Sequence, residues 1–388
     1  MSQMNNVRLA PDDVPASPGE NHSPKRWMPP LRRHSHPPEE ADRRKASHRR
    51  RKVALIAVAS VLLLTLASGA VLAVIKYYSV YQLVKESTGQ TLPTVTTNAP
   101  TVQATPLPND LAGVDHFNLL LLGSDNDSKF GSGAVLTQTD IVVRVDLAHK
   151  KITMVSIPRD MWLTSDEGQC CYKLDEISGA ETDGAGTQLD MKLHGFAHTV
   201  ATIENDFHIP IDAYAWVGLD GFVKVIDSLG GVDVDVLHPV VDDAYPDDVN
   251  TQDAYGYKRL SIPAGPQHLD GEEALEYVRS RHSDLLGDFG RSARQQSVLL
   301  ALKKKLNNQA IFGKLDELAT DLQGSVLTSL TLGQVLSLAN FAKGLQSSDF
   351  QQYVLGVPTY GYYDTVGDAA VVQPIWTAID QTVQQIFT

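Results

Sequence analysis

FNLLLLGSD, residues 117–125, is an apolar run of strand length that stops at a glycine and ends on a carboxylate. Four consecutive leucines do not alternate, so the run reads as a strand buried on both faces, as strands covered by helices are. DIVVRVDL (140–147) and ITMVSI (152–157) follow as two more strands, joined by a tight polar turn at His149-Lys150. Farther along, 195–207 has a helical pattern. A second helix is expected over 220–229, with Asp220 as N-cap and Gly230 at its end. VDVDV (232–236) alternates as a strand, and Asp270-Gly-Glu-Glu273 is a capping box before a helix running to Val278. Amphipathic helices are expected at 292–306 and 332–345, and an apolar one at 375–387. Strands and helices interleave, so the expected class is α/β, a central mixed β-sheet flanked by helices in an α-β-α arrangement. It occupies 114–310, with 311–388 as the C-terminal part of the same domain, and shows no internal repeat.

Outward from this domain the chain changes character. Val53–Ile75 holds 23 residues without a charge, enough at about 1.5 Å per residue to cross a hydrocarbon core of about 30 Å. It follows His48-Arg49-Arg50-Arg51-Lys52, so the positive-inside rule puts the N-terminus in the cytoplasm and the later domain outside. The basic flank suits contact with the anionic heads of the lipid bilayer. A cleaved signal peptide is the rival, but its apolar core is about 7–15 residues near the start of a chain, and this one is longer and later. Residues 1–52 are rich in Pro, Arg, Ser and His and read as a disordered basic tail, with His34, His36 and His48 solvated. Residues 76–113, rich in Thr and Pro from 91 to 108, read as a stalk.

Of the 388 residues, the first 52 carry a balance of +6 and the rest, past the uncharged span, −19. A body so acidic argues against general nucleic-acid binding, which depends on positive charge. The two cysteines, Cys170 and Cys171, are adjacent. Neighbouring Cα atoms across a trans peptide stand about 3.8 Å apart, short of the roughly 4.4–6.8 Å of a relaxed disulfide. The pair therefore reads as two thiols, with a strained vicinal disulfide as the alternative and no zinc framework in reach.

Within this acidic body Arg279, Arg281, Arg291 and Arg294 fall inside 16 positions. Two close one helix and two open the next, where backbone N–H groups point outward. Guanidinium forks match phosphate oxygens. Gly123-Ser124-Asp125, Thr139-Asp140 and Pro158-Arg159-Asp160 lie at strand ends, where α/β sheets commonly bind ligands. Carboxylates able to hold Mg2+ beside arginines able to hold phosphates suit phosphoryl transfer. The acidic run Asp242, Asp243, Asp247 and Asp248 reads as solvated surface, with weak Ca2+ binding as the alternative.

The blocks LLLLGSD (119–125), TD (139–140), VSIPRD (155–160), IPIDAYAWVGLDGFVKVIDSLGGVDVDV (209–236) and GPQHLDGEEALEYVRSRHSDLLGDFGRSARQQ (265–296) stand in an order that resembles the LytR-CpsA-Psr family. That resemblance implies a membrane-anchored, single-pass protein of the cell membrane with an extracytoplasmic catalytic domain. It implies transfer of a glycopolymer phosphate from an undecaprenyl-pyrophosphate carrier to a muramic-acid hydroxyl of peptidoglycan, dependent on Mg2+. By motif, the implied Mg2+ ligands are Asp125 and Asp140. The implied pyrophosphate-binding residues are Arg159, Arg279, Arg281, Arg291, Arg294 and Gln295, with Asp125, Asp140, Arg159 and Arg281 catalytic.

Two family arginine positions differ: Asp127 and Gln138 stand there, and Lys173-Leu174-Asp175 replaces Lys-Ile-Asn. Losing preorganised donors at a phosphate is costly, about 10²–10³ in rate for one. Lys129 and Lys173 are the candidates to compensate. The departures keep two other functions in view: a weak relative that binds lipid-linked polymer and regulates wall assembly, and a polyprenyl-pyrophosphate hydrolase. Asp160, Asp175 and Asp288 are open as general base.

Overall fold

The computed structural model describes residues 85, 87–95, 106–124, 136–165, 170–180, 187–247, 256–281, 288–306 and 324–387. In chain order the elements are β1 (His116–Ser124), β2 (Thr137–Asp146), β3 (Lys151–Ile157), β4 (Trp162–Thr164), β5 (Cys170–Lys173), α1 (Leu174–Ala180), α2 (Gln188–Phe207), β6 (Ala213–Val217), α3 (Leu219–Ser228), β7 (Val232–Val236), β8 (Val240–Pro246), β9 (Tyr257–Ile262) and β10 (Gly265–Leu269). They continue with α4 (Gly271–Arg279), α5 (Asp288–Leu306), β11 (Val326–Thr328), α6 (Leu332–Lys343), β12 (Phe350–Val354), β13 (Gly361–Val366), β14 (Ala369–Pro374) and α7 (Trp376–Phe387).

Six strands form the central sheet in the order β11-β6-β1-β2-β3-β12. β1 and β6 run parallel, as do β3 and β12, while the other pairs are antiparallel, so the sheet is mixed. The leucine run has helices on both sides. Leu120 and Leu122 pack with Val142 and Val155 against Ile177 of α1, Phe196 and Ile203 of α2, and Ile379 of α7. Phe117, Ile141, Val143 and Met154 face the other way, against Leu299 of α5 and Phe341 of α6. That two-sided burial is why the run does not alternate.

A second core stands beside the sheet. The hairpins β7–β10 and β8–β9 pack with α3, α4 and one face of α5 around Ile226, Val232, Leu260, Leu275 and Val298. Close approach here depends on glycine: a Cβ on Gly271 would lie 2.4 Å from the Val223 carbonyl. Gln296, fully buried on α5, donates to Ser156 Oγ at 2.8 Å and to the Tyr353 carbonyl at 3.0 Å, tying α5 to the sheet.

Several expectations change. The second expected helix is capped by Gly218, and Asp220 sits in its first turn, because Leu219 is already helical. Parts of the 76–113 segment pack on the domain: Gln90 N–H bonds the Thr328 carbonyl, Leu92 lies against the main core, and Leu111 is buried. Cys170 and Cys171 form a vicinal disulfide across a cis peptide, where spacing across a trans peptide had argued for thiols. Asp242 is buried in β8, not solvated, and Asp248 lies outside the described residues. So does the span Val53–Ile75; among the described residues no helix is long and apolar enough to cross a membrane.

Candidate functional site

A cavity of about 680 Å3 opens between the central sheet and the second core. Leu121, Ile141, Trp216, Phe222, Leu275 and Leu299 give it an apolar body. Polar side chains share the lining: Arg159, Arg279, Arg281, Arg291 and Gln295, together with Gln138, Ser124 and Asp242. Five of the residues singled out by sequence thus converge although they come from three separate elements or their flanks. A cavity of this size, apolar with a few convergent polar groups, is typical of a ligand site.

A β-bulge shapes the sheet end. Gly123 pairs with Thr139 and Ser124 with Thr137, leaving Gln138 unopposed on β2. Bulges next to sites commonly re-aim a side chain. Here Gln138 accepts a hydrogen bond from Arg159 Nη1. Arg159 also lies 3.4 Å from Asp175 and 3.5 Å from Asp160, and Lys173 Nζ bonds Asp160 at 3.0 Å. Burial pushes the Asp175 carboxyl up to about 6, with Asp160 and Glu176 adding to the rise and Arg159 and Lys173 opposing it.

Asp140 is 2% exposed and lies within electrostatic reach of Arg159 and Arg291, which line the cavity. Neither of its carboxylate oxygens makes a hydrogen bond of good geometry, and the nearby Thr137 hydroxyl is the side-chain donor that favours its charged form. Burial pushes this carboxyl up to about 8; Asp175 adds to the rise, while Thr137, Arg291 and Arg159 oppose it. A buried carboxylate with so little donor support is costly unless a cation or proton accompanies it. That is what a magnesium ligand requires, so Asp140 fits the ion. Asp125, the other implied ligand, lies outside the described residues, as do Asp127, Lys129 and the side chain of Asp288. Among the described residues no three His, Cys, Asp or Glu side chains gather as a metal cluster; Mg2+ commonly takes one or two carboxylates plus substrate phosphates.

The four clustered arginines divide. Arg279 lies over the Tyr245 ring at 5.7 Å, Arg281 is exposed at the mouth, and Arg291 is buried in the first turn of α5. Arg294 does not line the cavity. Its Nε donates to the Tyr277 carbonyl at 2.7 Å and its Nη2 to the Ser280 carbonyl, closing the C-terminal end of α4. These two bonds tie it to the turn that carries Arg279 and Arg281. Sequence reading missed Asp242 and Trp216. The first was hidden in an acidic run, and the second carried no signal beyond being an aromatic residue in a strand.

The model of the LytR_cpsA_psr family matches residues 74–383. The polyisoprenyl-teichoic acid–peptidoglycan teichoic acid transferase TagV of Bacillus subtilis (strain 168) is 33% identical over 234 residues, 60% of this chain and 54% of that protein. The matched stretch therefore spans about half of that relative's length. The corresponding transferase TagU of the same organism is 28% identical over 274 residues, 70% of this chain and 79% of its own. In structure, the crystal structure of B. subtilis TagV aligns with a TM-score of 0.54 at 27% identity, over 70% of this chain and 96% of that one. The structure of TagT bound to LI-WTA shares the fold, with a TM-score of 0.52 at 22% identity, over 75% of this chain and 97% of that one. Mixed sheet, flanking helices and the ordered arginine blocks thus agree with a match over most of the length, and the chain belongs to the LytR-CpsA-Psr family.

Proposed function

We propose that this protein transfers a phosphate-linked glycopolymer from a polyprenyl-pyrophosphate carrier to peptidoglycan. The observation that carries this reading is the cavity's mixed lining: apolar side chains suited to a polyprenyl chain, together with Arg159, Arg279, Arg281 and Arg291, suited to a pyrophosphate. The curated relatives are named as transferases that join polyisoprenyl-linked teichoic acid to peptidoglycan, which supports the same chemistry here. Residues 53–75 would hold the chain in the membrane, with the N-terminus cytoplasmic and the domain outside.

In the reaction a muramic-acid hydroxyl oxygen attacks the phosphorus that bears the glycopolymer. A new P–O bond forms, the bridging P–O bond of the pyrophosphate breaks, polyprenyl phosphate departs, and the hydroxyl proton is released. Charge gathers on the bridging and leaving oxygens, and guanidinium groups fixed before the substrate arrives stabilise it there. Gln138 and Asp175 hold Arg159 in place, and the Tyr245 ring supports Arg279. Gln295 also lines the cavity and supplies an amide. Mg2+, held by Asp140 and by Asp125, would add positive charge at the pyrophosphate.

The test is to incubate the full chain with a synthetic polyprenyl-pyrophosphate glycan, peptidoglycan oligomers and Mg2+, beside an Asp125→Ala/Asp140→Ala control. Mass spectrometry should find glycan phosphate joined to peptidoglycan, absent from the control. Glycan phosphate released without acceptor would identify a hydrolase instead. Retained binding of the lipid-linked substrate without turnover would identify a binding or regulatory relative.

A further inference from the structure

We infer that Asp242 is a positioning residue for the pyrophosphate-binding arginines, and that the bulge in β8 which carries it is a second support for the turn Arg279–Arg281. The inference rests on the proposed pyrophosphate-lipid site and names a part of it that no family motif quoted above includes.

Asp242 is 1% exposed and sits in a strand whose other inward residues, Val240, Tyr245 and their partners Leu260 and Ile262, are apolar core. A carboxylate there costs free energy unless donors reach it. Three do. Ala244 N–H bonds Oδ1 at 3.0 Å, Ser280 Oγ bonds Oδ2 at 2.8 Å, and Arg281 N–H bonds Oδ2 at 3.3 Å. The first closes a local turn within β8. The register there jumps from Asp242↔Leu260 to Tyr245↔Lys258, so Asp243 and Ala244 together oppose Arg259. The other two reach across to the end of α4.

That destination is unusual for a carboxylate. The C-terminal end of a helix carries partial negative charge, so an acid there is disfavoured on electrostatic grounds alone. What offsets it is the local excess of guanidinium groups. Ser280 is the residue between Arg279 and Arg281, and both of those side chains line the cavity. Asp242 therefore grips the turn at its centre, through a hydroxyl and an amide. Arg294 holds the same turn through the Tyr277 and Ser280 carbonyls. Tyr245, at the far end of the bulge, places its ring 5.7 Å under the Arg279 guanidinium. One bulge thus supplies both the anchor for the turn and the shelf for one of its arginines. The backbone of the turn is held before any phosphate arrives, which spares the ligand the cost of ordering that segment.

The experiment uses the full chain in detergent micelles, with two probes: undecaprenyl pyrophosphate and the uncharged alcohol undecaprenol. Binding is titrated for the parent and for Asp242→Asn, Asp242→Ala and Ser280→Ala, with thermal midpoints measured alongside. The expected result is a roughly tenfold or greater loss of pyrophosphate affinity in Asp242→Ala, with undecaprenol affinity unchanged. Ser280→Ala should lose less, and Asp242→Asn, which keeps an acceptor for one of the donors, should fall between it and the parent. Equal loss for both probes would show a role in folding alone and overturn the inference, as would no loss for either. A parent that does not favour the pyrophosphate over the alcohol would overturn the reading of the cavity itself, and this inference with it.

Discussion

Gln138 Oε1 accepts a hydrogen bond from Arg159 Nη1, and the glutamine that does so is the unopposed residue of the β1–β2 bulge. This pair gives the glutamine at 138 a defined partner where the family pattern has an arginine. The bulge aims the side chain at Arg159, and the place next to a part-buried guanidinium suits a neutral acceptor better than a second cation. Gln138→Arg is therefore expected to weaken pyrophosphate-lipid binding about three- to tenfold, since a hydrogen bond is worth about 0.5–1.5 kcal/mol and a like charge replaces it. A titration of the variant checks this; tighter binding would show that Arg159 finds another acceptor.

Asp140 should trade stability for function. Both carboxylate oxygens are buried without a hydrogen bond of good geometry, so Asp140→Asn removes an ionisable group from a site that desolvates it. The variant is expected to melt higher than the parent in the absence of divalent cation and to lose transfer activity. Mg2+ should raise the parent's melting temperature and leave the variant's unchanged, because only the parent gains from binding linkage. Differential scanning calorimetry with and without Mg2+ reads both effects.

Glu204 provides a pH signature. Burial pushes its carboxyl up to about 7, against the opposing hydrogen bond from Ile211 N–H, and Asp212 adds to the rise. A carboxyl with a raised folded-state pKa binds protons more tightly in the folded state. Its stabilising effect is complete below the unfolded value of about 4.5 and is lost as pH climbs through about 7. Asp175 and Asp206, raised to about 6, act in the same direction. Unfolding free energy should therefore fall between pH 5 and 7.5, and Glu204→Gln should flatten that slope. Denaturant titrations across this range decide it; an unchanged slope would remove Glu204 from the account.

Gly195 is fixed by contact. A Cβ placed on it would stand 2.0 Å from the Ser178 carbonyl, where α2 crosses α1. The neighbour is backbone and cannot rotate away. Gly195→Ala is expected to destabilise the domain by about 1–3 kcal/mol or more, as overpacked cores do. The shift in urea midpoint measures it.

Ser124 and Trp216 join the ends of β1 and β6: the indole Nε1–H donates to Ser124 Oγ at 3.0 Å, with both residues buried. Ser124→Ala leaves the indole donor without that acceptor and should cost about 1–3 kcal/mol. Ser124→Thr, which retains a hydroxyl, should recover part of the loss in the same denaturation assay.

The main strands and the arginine block could be read directly because burial on both faces and a run of like charge are local patterns. Expected strands at 117–122, 140–147 and 152–157 became 116–124, 137–146 and 151–157. The Asp270 capping box is present as expected, because it involves only residues three apart. Asp242 and Arg294 could not be read. Asp242 looked like surface because its neighbours Asp243 and Asp247 are also acidic, yet a bulge and strand alternation turn it inward. Arg294 shares a motif with Arg291, and its contacts with the Tyr277 and Ser280 carbonyls depend on how α5 packs against the end of α4, which no local pattern reports. In both cases the deciding partner is distant in sequence: Asp242 and Ser280 are separated by 38 positions.

Both margins of the central sheet come from residues 326–354, far along the sequence from its other strands. β11 lies outside β6 and β12 outside β3, and every other strand of that sheet precedes Val217. Until residues 326–354 are available, the backbone edges of β3 and β6 have no neighbour to close them. The sheet that borders the cavity is thus complete only once residue 354 has emerged, and a ribosome or translocation channel would deliver the arginine segment before the cavity could take its final shape.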